Sequence, residues 1–148
     1  MEQQFHLLGR AVIRSENKVL LARARGYQNT FLPGGHVEIG ESVPVAIARE
    51  LQEELGSQAT IGRYLGAVEA SFTSEDTVHF EINHLFEATL NDTNFTSQEP
   101  YLEFFWADLN DLTVLNLQPA ALIDLLCHPR ETAFWSSLPE LALPNEND

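Results

Sequence analysis

The segment RELQEELG, Arg49 through Gly56, gathers three carboxylates where an ordinary amphipathic helix would spread its charges. On a wheel turning about 100° per residue, Glu53 and Glu54 fall on either side of Glu50. Ile47, Ala48, Leu51 and Leu55 fill the adjoining sector, so the acidic patch borders an apolar stripe. Val43 and Ala46 continue the acidic face toward the helix start without adding charge. Each like-charge pair at i, i+3 or i, i+4 opposes the helix by roughly 0.2–0.5 kcal/mol. Acids near a helix C-terminus oppose its dipole by about 0.3–1 kcal/mol each. The sum is a penalty on the order of 1–2 kcal/mol. A hard divalent cation reverses its sign, because carboxylate oxygens are what Mg²⁺ prefers, with water and substrate phosphates completing its shell. An ordinary solvated helix face would carry similar residues, with Arg49 pairing Glu53 one turn on. The surroundings favour a site. Gly34 and Gly35 lead into the helix, and Glu41 stands just before its N-cap, where an acid also complements the dipole.

The elements that must position these groups follow from pattern. The spacing of Ile47, Leu51 and Leu55 predicts a helix over 43–55, capped by Ser42, with Pro44 in the first turn and Gly56 as the left-handed exit. FHLLGRAVIRS and KVLLARAR are rich in Val, Ile and Leu and flank the turn SENK, so they read as a strand pair. GYQNTFLPGG reads as a loop whose glycines permit close approach to a ligand. ATIGRYLGAVEASFTS and DTVHFEINHLFEATL read as two strands around a polar turn at Ser74 to Asp76. Within the second, Phe80, Ile82 and His84 share one face, and His79, Glu81, Asn83 and Leu85 the other. YLEFFWADL reads as a further strand, and QPAALIDLLCHP as a last helix opened by Pro119 and stopped before Pro129. The expectation is one domain over 1–148, of α/β or α+β class, with a flexible tail over roughly 137–148.

Composition narrows the function. Eight Lys and Arg against 22 Asp and Glu give a formal charge of −14, which disfavours a nucleic-acid polymer or an anionic membrane as partner. A small anionic substrate stays open if a metal ion bridges the repulsion. The single cysteine, Cys127, excludes an intramolecular disulfide and fits a reducing compartment, as a small apolar residue rather than a nucleophile. We expect no secretory leader, no membrane span and a cytoplasmic protein, so the sequons at Asn91 and Asn94 read as chance matches.

GHVEIGESVPVAIARELQEELGS, Gly35 through Ser57, resembles the Nudix box. Gly35, Glu41, Arg49, Glu50, Leu51, Glu53, Glu54 and Gly56 stand at its fixed positions, and Ser57 replaces the closing aliphatic residue, a change that touches packing more than chemistry. The resemblance implies an α/β/α sandwich around a mixed sheet. It also implies hydrolysis of a nucleoside diphosphate linked to another group, with water attacking phosphorus. By that resemblance Glu50, Glu53 and Glu54, with the Gly35 carbonyl, hold one or more Mg²⁺ or Mn²⁺ ions; Arg49 holds a carboxylate in place; and Glu41 supports the loop–helix junction or reaches a metal through water. Three candidates for the general base stay open, Glu50 first, Glu99 in the loop TSQEPYLEF second and Glu103 third. Such chemistry needs positioning and charge neutralisation more than covalent catalysis.

Arg23 and Arg25, before the glycine loop, are candidate phosphate ligands, or simply solvated strand-end residues. Phe31, with Tyr27, Phe72 and Phe80, is a candidate for stacking on a base, and His79 for hydrogen bonding to one. The proline typical of ADP-ribose hydrolases in this family is absent from Ala70 to Ser74, which counts mildly against that subgroup. A small-molecule nucleotide is the expected partner, and a homodimer stays open. The rival readings are a ligand sensor of the same fold with little turnover, against which the intact motif counts, and a plain acidic helix in an unrelated domain.

Overall fold

Strands covered on both faces read as unbroken apolar runs, and residues 11–13 and 19–22 form such runs at the centre of this molecule. The computed structural model describes residues 1–92 and 94–138. The elements begin with Glu2–Val12 (β1), Arg14–Ser15 (β2), Lys18–Ala24 (β3), Gly34–His36 (β4) and Val43–Leu55 (α1). Ala59–Ser74 (β5), Thr77–Leu90 (β6), Leu102–Asp108 (β7), Ala121–Cys127 (α2) and Phe134–Ser136 (β8) complete them. A mixed sheet runs β4-β1-β6-β5-β8, with β1 parallel to β6 and β5 parallel to β8. A second, antiparallel sheet runs β2-β3-β7. The fold is thus α+β with a mixed sheet, as expected, joined by a three-stranded companion.

Alternation along the central strands divides the core in two. Ala11, Ile13 and Leu20 pack with Ile47, Leu51 and Leu55 of α1. Val12, Val19 and Leu21 pack with Leu122 and Leu126 of α2. Each helix therefore covers its own apolar layer. Gly9 lets α1 come close, since a Cβ there would lie 2.7 Å from Ile47 Cγ1.

Helix α1 has the predicted bounds. The Ser42 hydroxyl accepts from the Val45 N–H at 3.3 Å, and Gly56 at φ 64° ends the helix by donating to the Gln52 carbonyl at 2.9 Å. The β5–β6 hairpin turns on Glu75 and Asp76, both at positive φ, as a two-residue turn between twisted strands requires. Helix α2 falls inside its predicted span.

Two expectations change. The long β1 does not pair with β3, because β4 and β6 already occupy its two edges. The chain crosses to the other sheet at Ile13, and only Arg14 and Ser15 pair with β3. The end of the glycine loop is a strand, β4, drawn tightly onto β1. Gly34 sits at φ 138°, and a Cβ there would overlap the Gly9 carbonyl oxygen. Most of the tail expected to be flexible lies outside the described residues.

Candidate active site

Arg49 organises the start of the site. Its Nε and Nη2 donate to the two Glu41 carboxylate oxygens at 2.7 and 2.9 Å. Its Nη2 also donates to the His36 carbonyl at 3.0 Å. Its Nη1 donates to Glu50 Oε1 at 3.1 Å and Glu53 Oε2 at 3.3 Å. The one-turn pair with Glu53 is therefore real, but it is the longest of these five bonds. The paired fork to Glu41 is the geometry only a guanidinium supplies. Hydrogen bonds from Arg49 and from the Glu38 N–H draw the Glu41 pKa down to about 2. Glu41 in turn raises that of Arg49. One side chain thus ties the loop before α1, the end of β4 and two of the three helix carboxylates together.

Glu50 lies against Gly35. A Cβ at Gly35 would fall 2.6 Å from the Glu50 carboxyl carbon, so the missing side chain is the space the carboxylate fills. The Glu50 side chain is 17 % exposed and that of Glu53 is 55 % exposed. Glu54 points inward. Burial, a hydrogen bond with Glu50 and the Glu50 charge raise its pKa well above the usual carboxylate range; the charge of Arg10 opposes the shift and that of Glu99 adds to it. Without a cation, the repulsion is relieved by a proton on Glu54 and by the guanidinium of Arg49. Among the described residues no three His, Cys, Asp or Glu side chains stand already placed to hold an ion. The donors fit a hard cation by their chemistry, with Glu50 cradled on glycine and Glu53 half in solvent, tied among the described residues only by its 3.3 Å bond from Arg49.

A loop closes the C-terminal end of α1. The Gln98 N–H donates to the Glu54 carbonyl at 2.7 Å. The Ser97 hydroxyl donates to the carbonyls of Glu99 and Leu102 at 3.0 Å each. Glu99 is thereby held near enough for its charge to raise both Glu54 and Tyr101. Glu103 is engaged elsewhere, in an ion pair with Arg23 at 3.4 Å. Arg23 also lies over the Phe105 ring at 5.1 Å, and Arg25 Nε donates to the Pro100 carbonyl at 2.7 Å. Arg23 is half-buried against β7, while Arg25, just past the end of β3, is exposed as a solvated strand-end residue that also braces the Glu99 loop; neither lines the cleft described next. Ser57 is buried, and its hydroxyl donates to the carbonyls of Gln58 at 3.2 Å and Asp92 at 3.4 Å. It thus fastens the helix exit by hydrogen bonds.

Beside the acidic face opens a cleft of about 650 Å³, lined by Arg10, Phe31, Phe72, Glu81, Asn83 and Gln118 among others. Phe31 and Phe72 are therefore in position. Tyr27 is exposed and outside the cleft, and Phe80 stacks on Phe5 at 6.2 Å. His79 does not line the cleft. It ends a row of imidazoles in which His6 is hydrogen-bonded to His36 and to His79, each at 2.8 Å, and Phe72 stacks on His79 at 4.6 Å. Arg10, Asn83 and His6 are absent from the sequence-based candidates. The available signal for Arg10 was a charged residue inside the apolar run LLGRAVI, a position cores rarely grant without a partner.

A family model described as the NUDIX domain matches residues 6–126. The CTP pyrophosphohydrolase of Escherichia coli is 39% identical over 61 residues, which cover 38% of this chain and 45% of that one. The ADP-ribose pyrophosphatase of Methanocaldococcus jannaschii is 40% identical over 58 residues, 37% of this chain and 34% of that one. The chain thus spans less than half the length of both relatives. Among solved structures, the MutT protein of Bacillus halodurans superimposes with a TM-score of 0.73 at 19% identity, covering 95% of each chain, a likeness of fold.

Proposed function

This chain belongs to the NUDIX domain family, and from that premise we propose that it is a Mg²⁺- or Mn²⁺-dependent pyrophosphohydrolase of a nucleoside diphosphate linked to another group. One domain over 1–148 carries the reaction. The observation that carries the reading is the Glu50–Glu54 pair: Glu50 is seated against Gly35 and held by Arg49, which also grips Glu41, and Glu54 is buried beside Glu50. Such a pair is costly unless a cation and a phosphate chain complete it.

In this reading Glu50, Glu53, Glu54 and the Gly35 carbonyl hold the ion. When bound, it neutralises the diphosphate and lowers the pKa of a coordinated water. The chain's own residues do the rest. Arg49 fixes the Glu50 carboxylate and the loop carrying Glu41, so the donors are oriented before substrate arrives. Glu50 is the first candidate to take the proton of the attacking water. Glu99 is the second, since its loop is fastened to the end of α1. The cleft takes the nucleoside, with Phe31 offering a ring for the base.

The test is a product-release panel with Mg²⁺ and with Mn²⁺ over nucleoside triphosphates, CTP included, ADP-ribose, nucleotide sugars and dinucleoside polyphosphates. Cleavage of at least one anhydride supports the reading. Slow turnover on every compound, beside tight nucleotide binding, would instead make the chain a ligand sensor. Glu50→Gln and Glu99→Gln then separate the bases: the true base loses the acidic limb of the pH–rate profile with its carboxylate.

A further inference from the structure

The cleft has a cation that the family motif does not contain. Arg10 projects from β1 on the same face as Asn83 of the adjacent parallel strand β6. Its Nε donates to Asn83 Oδ1 at 3.3 Å, and its Nη1 donates to the Leu32 carbonyl at 3.1 Å. The guanidinium stands over the Phe31 ring at 5.7 Å. Asn83 is itself buried and anchored, with its amide directed at the Val68 carbonyl at 3.4 Å and at Glu81 Oε1 at 3.5 Å. Two of the three guanidinium nitrogens are thus fixed. Among the described residues Nη2 has no hydrogen-bond partner.

Asn83 stands between Arg10 and Glu81, and no ion pair closes between those two among the described residues. The charge is kept available. Arg10 is also the only Lys or Arg among the described residues lining the cleft. Among the carboxylates it feels Glu81 most, without a direct ion pair, and then Glu54 and Glu50, so it stands at the border between cleft and acidic face. Arg23 and Arg25 are tied to Glu103 and the Pro100 carbonyl. In a chain of charge −14, and in a cleft that Glu69 and Glu81 also line, an anion has one guanidinium to meet among the described residues, already oriented and with Nη2 left without a partner there.

We propose that Arg10 is a substrate-binding residue whose Nη2 donates to a non-bridging oxygen of the phosphate next to the nucleoside. This rests on the hydrolase reading above and adds to it a phosphate contact independent of the metal ligands. Asn83 is the positioning residue that holds the guanidinium off Glu81.

Isothermal titration with 5′-monophosphates of adenosine, cytidine, guanosine and uridine, each beside its parent nucleoside, tests this in Mg²⁺, since a monophosphate has no anhydride to cleave. The wild type should bind the best monophosphate at least tenfold tighter than its nucleoside, in line with a hydrogen bond to a charged group at about tenfold or more. In Arg10→Met that preference should shrink by about tenfold while nucleoside binding stays put. Arg10→Gln, whose amide still reaches its neighbours, carries the same expectation and guards against misfolding, checked by its thermal midpoint. A preference that survives in folded variants, or that the wild type lacks, overturns the proposal. The two readings fail differently. If the wild type cleaves no anhydride, the hydrolase reading falls. If it cleaves one and the Arg10 variants keep its KM and the monophosphate preference, only the Arg10 proposal falls.

Discussion

Glu54→Gln should make the metal-free protein more stable at slightly alkaline pH and change little near about pH 5. Burial, with Glu50 beside it, raises Glu54 to about 8 in the folded chain, from 4.5. Between those values the native state holds a proton that the unfolded state has lost. Stability from this group is therefore complete below the unfolded pKa and is lost as pH rises through the folded one. Each pH unit in that window is worth about 1.4 kcal/mol, so from about pH 5 to about pH 8 the loss is roughly 2–4 kcal/mol. Glutamine mimics the protonated acid and removes that slope. His36 and His84, whose pKa values burial lowers, push the other way, their contribution growing as pH rises through their unfolded range. They are common to both proteins, so the difference between the two profiles isolates Glu54. Thermal melts of wild type and variant in EDTA, across this range, should coincide at the acid end and separate by roughly 5–15 °C at the alkaline end. Mg²⁺ should close the gap by stabilising the wild type alone. Parallel profiles at every pH would refute the reasoning, because Glu54 would then not be held protonated by the fold.

Gly35→Ala places a Cβ 2.6 Å from the Glu50 carboxyl carbon, which sits at the end of a flexible side chain. The carboxylate should swing aside at little cost in melting temperature while kcat falls by about a hundredfold; a variant with wild-type kcat would remove Glu50 from the site. Arg49→Lys keeps the charge but loses the paired bonds to Glu41. Mn²⁺ affinity, followed by paramagnetic resonance, should drop by about tenfold to a hundredfold, and an unchanged affinity would limit Arg49 to a structural tie. Ser57→Ala strips hydrogen bonds from the Gln58 and Asp92 carbonyls. It should lower stability by about 0.5–1.5 kcal/mol with kcat untouched, as urea denaturation and steady-state assays would read.

The helix and its acidic face were legible because they are local. A cap, a proline, a left-handed glycine and a four-residue apolar period all lie within residues 42–56. Even there the wheel erred in detail: Ala46, placed on the acidic face, is fully buried, while Ala48 is only half-buried. The partition into two sheets was not legible, since a long strand does not announce which neighbours take its edges. The cleft was read only in part. Phe31 lines it, but Arg23 and Arg25 meet partners on β7 and its preceding loop, contacts set by a strand register far along the chain. Arg10 and Asn83 lie 73 positions apart and meet only because β1 and β6 run parallel. No local spacing signals such a meeting.

The carboxylates stand on α1, while the cleft walls come from β1, residues 29–32, β5, β6, the approach to α2 and residues 136–138. Proposed chemistry and proposed selectivity are therefore written on different stretches of chain. Substitutions that reshape the pocket around a new base or sugar need not disturb the ion-holding face, so a lineage built on this plan can change diet without relearning how to cut.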